Sequence, residues 1–367
     1  MEIGMTSFSP LWWVLLSSAL SAFFVVALIA PARRFDLVDH PAGRKNHAVP
    51  TPLVGGVAIF LSLALTQWLA GLLPGQSGSL MFALVITMAI GVADDAREIG
   101  HRSKFFAQLI AGLLVVSGTE VHVMHLGDMF AIGDVVLGKW SYLVTVIAII
   151  GLMNAINMID GVDGLAGTQV LISLLVFLTV ALVAGNTRLV MELMILAGAV
   201  AGFLIFNLRS PWRKRALVFM GDTGGLLLGL LLAWYSIRLA GGMNASPLRP
   251  ITAVWIIAVP LLDMGAVMFL RMTQHKSPFY ADRQHLHYVL LDGGLSVSQV
   301  VWLKAAASVT FSLLATSAQA HGVPEAAMFG VFVALLLGYM VLLARPAVVL
   351  KALGSLVSSA KAQDSSG

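Results

Sequence analysis

The sequence predicts an all-α polytopic membrane protein of about eleven transmembrane helices in one membrane-embedded domain. Three observations point there. Of 367 residues, 59% are hydrophobic and 11% charged, whereas soluble domains carry about 25% charged residues. The apolar residues gather into runs that can cross a hydrocarbon core, which takes about 20 residues per helix. The basic residues alternate in density between successive loops, the pattern that sets orientation in a membrane.

The expected spans are 11–30, 52–72, 79–93, 104–118, 141–156, 165–184, 189–206, 223–240, 251–271, 298–318 and 325–344. The third, fourth and fifth are short, so tilt or shielding by neighbours is expected there. Glu2 precedes the first run and no basic residue does, unlike a signal peptide. Arg33 and Arg34 follow it, which puts the N-terminus outside and the first loop inside. With that start, all but four of the 22 Lys and Arg fall on inside segments. The exceptions are Lys139, Arg188, Arg238 and Arg249.

The outside segment 119–140 has Gly127, Gly133 and Gly138 between short alternating stretches and reads as a small hairpin. The membrane domain is expected over 1–344. Residues 345–367 read as an inside tail, disordered towards Ser365 and Ser366. No internal repeat is evident. The chain has no Cys, which excludes disulfides, thiolate metal sites and Cys nucleophiles. The net charge of +4 follows from the loop bias and does not call for nucleic acid.

The chemistry lies where carboxylates border hydrocarbon, a costly place for them. Asp94 and Asp95 end the third span. Adjacent acids repel, and a cation or Lys104 could relieve that. One of the two could take a proton while the other orients it. Between the fifth and sixth spans, Asn154, Asn157, Asp160 and Asp163 recur three apart, one face of a helical turn. Gly161 and Gly164 clear space beside the acids for a phosphate; a capping Asp and a glycine turn are the plainer explanation. Asp222 opens the eighth span in a Gly-rich turn. Helix N-termini attract anions, so an Asp there repels phosphate unless a divalent cation lies between them. Alone, Asp222 reads as an N-cap.

Arg283, His285 and His287 form an inside-loop cluster. A hard cation prefers oxygen ligands, so the histidines read as phosphate or sugar contacts. Lys45 and His47, ahead of Pro50, Pro52, Gly55 and Gly56, read equally as phosphate contacts or as a basic loop with a stiff turn into the second span. Asp263 falls mid-span beside Pro260, which predicts a kink. Asp263 is expected to satisfy the broken backbone there rather than to act in catalysis.

These segments together resemble the polyprenyl-phosphate N-acetylhexosamine-1-phosphate transferase family, in its WecA-type branch. The matching residues are Asp39, His40, Pro41, Arg44 to His47, Gly55 and Gly56; Asp94 and Asp95; residues 154–165; Met220, Gly221 and Asp222; and residues 282–287. They stand in the family's order. The resemblance implies attack by undecaprenyl phosphate on a UDP-N-acetylhexosamine, with UMP leaving and Mg²⁺ as cofactor, or Mn²⁺ in its place. It implies Asp94 and Asp95 as catalytic groups and Asp222 with Asn157 as metal ligands. Asp160, Asp163 and Asn154 become nucleotide contacts. Lys104, Arg283, His285, His287, Lys45 and His47 become phosphate or sugar contacts. The site is placed on the cytoplasmic side of a bacterial inner membrane, and a homodimer is left open.

The chain departs from the family pattern at Gly225, where Ser is common, and at Tyr288, where a further His is frequent. The WecA-like loop favours N-acetylglucosamine. Another UDP-N-acetylhexosamine, either a 6-deoxy sugar or MurNAc-pentapeptide, is the alternative within the class. An ion-coupled transporter is the alternative outside it. A transporter predicts acids at the bilayer centre and inverted repeats, but here only Asp263 is central.

Overall fold

The computed structural model describes residues 10–41, 49–72, 77–242, 246–278 and 283–351. Lys45, His47 and Asp282 lie outside them. The first three helices are α1 (Pro10–Arg34), α2 (Gly55–Leu69) and α3 (Ser77–Arg97). Then come α4 (His101–Gly118), α5 (Trp140–Ile159), α6 (Leu165–Val183), α7 (Thr187–Asn207) and α8 (Gly221–Ala240). The last five are α9 (Pro250–Ile256), α10 (Ala258–Thr273), α11 (Leu286–Asp292), α12 (Val297–Ala320) and α13 (Glu325–Ala344). Two short strands, β1 (Val38–Asp39) and β2 (Thr51–Pro52), pair antiparallel beyond the end of α1.

Every expected span corresponds to a helix or, for the ninth, to a helix pair. Among the described residues, eight helices are long and apolar enough to cross a membrane, and α9 with α10 makes a ninth span bent by 83°. The protein is thus an all-α, multi-pass membrane protein. Of the helices at expected spans, α2 and α4 fall outside that count. α2 has only 15 residues, and α4 carries His101, Arg102, Lys104 and Gln108 along its first half. α3 also runs longer than the sequence suggested, so Asp94 and Asp95 lie in its last turn rather than beyond it. α11 was not expected.

The bend at Ile257 falls where Pro260 predicts it. Proline has no N–H for the carbonyl four residues earlier, and its ring clashes there, so the helix breaks after Ile256. In the 119–140 segment, Leu126 N–H donates to Val135 (2.9 Å), Val135 N–H to Gly127 (3.1 Å) and Leu137 N–H to Met124 (2.9 Å), which makes the small hairpin.

α8 is the hub. Nearly all of its residues are buried, and it packs against α2, α3, α5, α6 and α9. With so much apolar surface covered by other helices, α8 carries no lipid-facing stripe, so it can present its first turn at a fixed place. One apolar cluster runs through the bundle from Val25 to Val301. α1 packs along α7 through small residues: Ser17 Oγ donates to the Ile195 carbonyl at 2.7 Å and lies 3.2 Å from Ser62 Oγ. Such contacts let backbones approach closely where lipid supplies no hydrophobic drive.

Candidate active site

The first turn of α8 is where the motif segments meet. Before it, the chain is stitched to the Pro/Gly stretch that opens α2. Phe219 N–H donates to the Pro52 carbonyl (2.9 Å), Gly55 N–H to Phe219 (3.0 Å) and Gly56 N–H to Met220 (3.0 Å). The described part of that stretch therefore has a structural role. At the turn itself Gly221 has φ +72°, and a side chain there would come within 2.5 Å of Asp95 Oδ2. Only glycine allows both the conformation and the approach. Gly91 does the same for α3, since a Cβ at Gly91 would lie 2.4 Å from the Thr223 Cα.

The two neighbouring acids of α3 do unlike things. Asp95 Oδ1 accepts from the Asp222 N–H at 2.7 Å, and its Oδ2 accepts from the Thr223 N–H (3.2 Å) and hydroxyl (2.7 Å). It caps α8 from another helix, satisfying N–H groups that have no partner inside α8. Asp94 instead pairs with Lys104, and the same ammonium lies 2.5 Å from Asp222 Oδ2. Lys104 thus holds together the acid that ends α3 and the acid that opens α8. It provides the relief of repulsion that the sequence called for, between Asp94 and Asp222 rather than between Asp94 and Asp95. Asp94 Oδ1 is buried without a hydrogen-bond partner among the described residues.

α5 brings its amides alongside. Asn157 reaches the first turn of α8, where a side chain at Gly225 would meet Asn157 Oδ1 at 2.6 Å. The glycine at 225, where the family often has Ser, therefore leaves room for Asn157. Asn154, one turn earlier, is committed elsewhere: its Nδ2 donates to Gln108 Oε1 at 2.8 Å and locks α5 to α4.

Asp160 follows the end of α5 and makes no side-chain hydrogen bond to the described residues. Burial first, then the charges of Asp222, Asp95 and Asp163, pushes its carboxyl up to about 8. Asp163 is anchored: its Oδ2 accepts from Arg209 Nε at 2.7 Å and from the Ala216 N–H at 3.1 Å. That ties the turn before α6 to the loop after α7.

The α11 segment closes over this turn. His287 is fully buried, and neither ring nitrogen has a hydrogen-bond partner among the described residues. A Cβ at Gly161 would come within 2.5 Å of His287 Nε2 and 2.7 Å of the Tyr288 hydroxyl. Burial, with the Lys304 ammonium next, holds the His287 imidazole well below its usual value, so the ring is neutral. His285 reaches away from the turn, to Asp263. Arg283 bonds Asp292 Oδ1 at 3.2 Å and lies over the Tyr288 ring.

Known proteins are similar to this chain in sequence. The family model for glycosyl transferase family 4 matches residues 77–240, from the start of α3 to the end of α8. A protein of Escherichia coli O157:H7 is 31% identical over 313 residues, 84% of this chain and 85% of that protein. One of Salmonella typhi is 33% identical over 324 residues, covering 86% and 88%. One of Haemophilus influenzae is 33% identical over 314 residues, covering 84% and 87%. All three are called undecaprenyl-phosphate alpha-N-acetylglucosaminyl 1-phosphate transferase. The chain belongs to glycosyl transferase family 4.

As a family 4 member it is an enzyme, a sugar-1-phosphate transferase embedded in a membrane. Phosphotransferases of this type typically need a divalent metal. The residues at the start of α8 fit one. Asp222 and Asn157 offer hard oxygens, Asp94 Oδ1 and the Asp160 side chain have no hydrogen-bond partner among the described residues, and one lysine answers two acids. A cation that keeps substrate oxygens and water among its ligands needs only one or two carboxylates. The only three-residue group of His and Asp atoms close enough to hold a metal among the described residues includes none of these acids: it is Asp263, His285 and His287.

The structure brings together Asp94, Lys104, Asp222, Asn157, Asp160 and His287 in this family 4 transferase. It sets Asp95, Asn154, Asp163 and His285 one step back, each engaged with another helix or loop. Sequence reasoning missed Thr223, Gln108, Arg209, Lys304 and Tyr339. Of these, Lys304 carried a signal, since a lysine within an apolar run needs a partner as much as Asp263 does.

Proposed function

We propose that this transferase moves N-acetylglucosamine 1-phosphate from UDP-GlcNAc to undecaprenyl phosphate, releasing UMP and leaving undecaprenyl-diphosphate-GlcNAc. The reaction would start a cell-envelope polysaccharide such as O-antigen, on the cytoplasmic face of a bacterial inner membrane. The observation that carries the reading is the Asp94–Lys104–Asp222 bridge beside acids with unused oxygens. The relatives whose printed name describes this transfer align over more than four-fifths of the chain.

In this reading an oxygen of the lipid phosphate bonds to the β-phosphorus of UDP-GlcNAc. The bond from that phosphorus to the bridging oxygen breaks, and UMP leaves with the electron pair. A lipid phosphate is already largely ionised near pH 7, so no strong base is needed. Asp94 then acts by charge and placement, steering Lys104 towards the incoming phosphate. Positioning and neutralisation of charge are most of what phosphoryl transfer asks of a protein. Asp222 and Asn157 would hold Mg²⁺, or Mn²⁺ in its place, which when bound neutralises the diphosphate. Asp95 keeps Asp222 at the start of α8. Asp160 faces the nucleotide sugar, and Asp163 holds that turn through Arg209. His287, Tyr288 and Arg283 lie on the sugar side, where Tyr288 in place of a histidine bears on the choice of sugar.

The test is the product. Purified protein is given labelled UDP-GlcNAc and undecaprenyl phosphate, with and without EDTA. Lipid-linked product and UMP are expected, lost with EDTA and restored by Mg²⁺. Product from a different UDP-N-acetylhexosamine alone would replace the sugar. No lipid-linked product from any of them would sink the proposal.

A further inference from the structure

Outside the Lys104 bridge, the described residues hold one other buried knot of charge close to the site. Asp263, in α10, is 1% exposed. Its Oδ2 lies 2.6 Å from His285 Nδ1. Its Oδ1 accepts from the Leu286 N–H (3.2 Å), Lys304 Nζ (3.3 Å) and the Tyr339 hydroxyl (2.5 Å). Those partners come from α11 and its N-cap, from α12 and from α13. The expectation that Asp263 serves its own broken helix is therefore corrected. The backbone group it satisfies is the first N–H of α11, that of Leu286.

The knot does not need a metal, although Asp263, His285 and His287 are spaced for one. The Lys304 ammonium already shares the Asp263 oxygen and supplies the positive charge a cation would bring. Nor is stability a sufficient reason for it. Buried ion pairs lose much of their attraction to desolvation, and apolar packing of the same volume often does as well. What such a network does supply is a fixed arrangement.

That arrangement leads to the site. The His285 ring stacks on His287, with centroids 5.4 Å apart and planes 16° from parallel. His287 packs against Tyr288 at 4.2 Å. Both face Gly161, the residue after Asp160. Among the described residues His287 itself has no hydrogen-bond partner. Its place is set by its neighbours, and they are set by Asp263.

We propose that Asp263 is a positioning residue for the transfer: it anchors His285 and the start of α11, and so sets where His287 and Tyr288 stand against the Asp160–Gly161 turn. Lys304 and Tyr339 clamp its carboxylate from the last two helices, which places α12 and α13 in the service of the sugar side of the site. This rests on the nucleotide-sugar reading of that turn.

Two measurements test it. The first needs no substrate: hydrogen exchange over residues 283–292 in wild type, Asp263→Asn and Tyr339→Phe. Exchange at Leu286 is expected to quicken at least tenfold in Asp263→Asn and about threefold in Tyr339→Phe. Unchanged exchange in both would overturn the anchoring. The second is steady-state kinetics with UDP-GlcNAc and undecaprenyl phosphate. Asp263→Asn is expected to raise KM for UDP-GlcNAc at least tenfold while KM for undecaprenyl phosphate stays within twofold. His287→Ala should do the same, and the double variant should be no worse than the more impaired single one, because both act through one contact. Multiplying effects, or an equal rise in both KM values, would overturn the proposal. Should Asp263→Asn fold poorly, Tyr339→Phe removes only a hydroxyl and carries both arms, with a threefold rise in KM for UDP-GlcNAc alone. Wild-type protein that makes no lipid-linked product would count against the nucleotide-sugar reading, while the exchange arm would still judge the anchor.

Discussion

Replacing Asp95 with asparagine separates holding α8 from acting on the reactants. The carboxylate accepts three hydrogen bonds from the first turn of α8, one on Oδ1 and two on Oδ2. Asparagine keeps one acceptor and turns an NH₂ towards the other donor. If its oxygen stays with Thr223, the Asp222 N–H faces another donor. A hydrogen bond to a charged group is worth about 1.5–3 kcal/mol. A negative charge at a helix N-terminus adds about 0.3–1 kcal/mol. Together the loss is about 2–4 kcal/mol, felt at the residue that carries Asp222. Felt in the folded enzyme and carried through to the transition state, a loss of that size lowers turnover about 30- to 1,000-fold, at 1.36 kcal/mol per tenfold. The assay is turnover with UDP-GlcNAc and undecaprenyl phosphate, beside the thermal unfolding midpoint in the same detergent. Both are expected to fall, and excess Mg²⁺ should restore neither. Turnover lost at an unaltered midpoint would refute the argument, since Asp95 would then act on the reactants and not on the helix.

Other consequences follow from the same contacts. Asp222→Asn removes one ligand charge and one Lys104 partner, so most turnover should disappear and the Mg²⁺ dependence weaken; wild-type rates would take Asp222 out of the metal site. Lys104→Met leaves Asp94 and Asp222 without their shared ammonium, so turnover should fall at least tenfold while half-saturation by Mg²⁺ shifts to lower concentration. A shift to higher concentration would contradict the electrostatics. Asp160, pushed up to about 8, holds its proton at neutral pH, and a bound cation favours the ionised form. Apparent Mg²⁺ affinity should therefore rise with pH up to about 8 and level off above it, and Asp160→Asn should flatten that rise. A slope retained in the variant would assign the titration to another group.

The sequence determined the parts of this protein whose physics is local. A run of apolar residues needs hydrocarbon or a covered helix face wherever it folds, so the spans could be read without knowing their neighbours. The break before Pro260 is likewise a property of one residue and the carbonyl four before it. Acids at the ends of α3, α5 and at the start of α8 stood out because their cost beside hydrocarbon does not depend on their partners. The family's ordered motifs were legible in the same way.

Only the tertiary structure decided what each acid does, because hydrogen-bond partners are chosen by which helix faces meet. Asp94 and Asp95 are neighbours in sequence but project in different directions from the last turn of α3. One meets Lys104 and the other meets the start of α8, 127 residues away. Asn154 and Asn157 share a helix face, yet the first is taken by Gln108 and the second reaches the first turn of α8 at Gly225. Asp163 was spaced like a ligand and is held by Arg209, 46 residues on. Asp263 was expected to serve its own broken helix and Lys304 to count with the inside segments, and the fold instead sets the Lys304 ammonium on an Asp263 oxygen. Which carboxylates keep an oxygen free for substrate is thus a property of helix packing, and packing is set by surfaces distant in the chain.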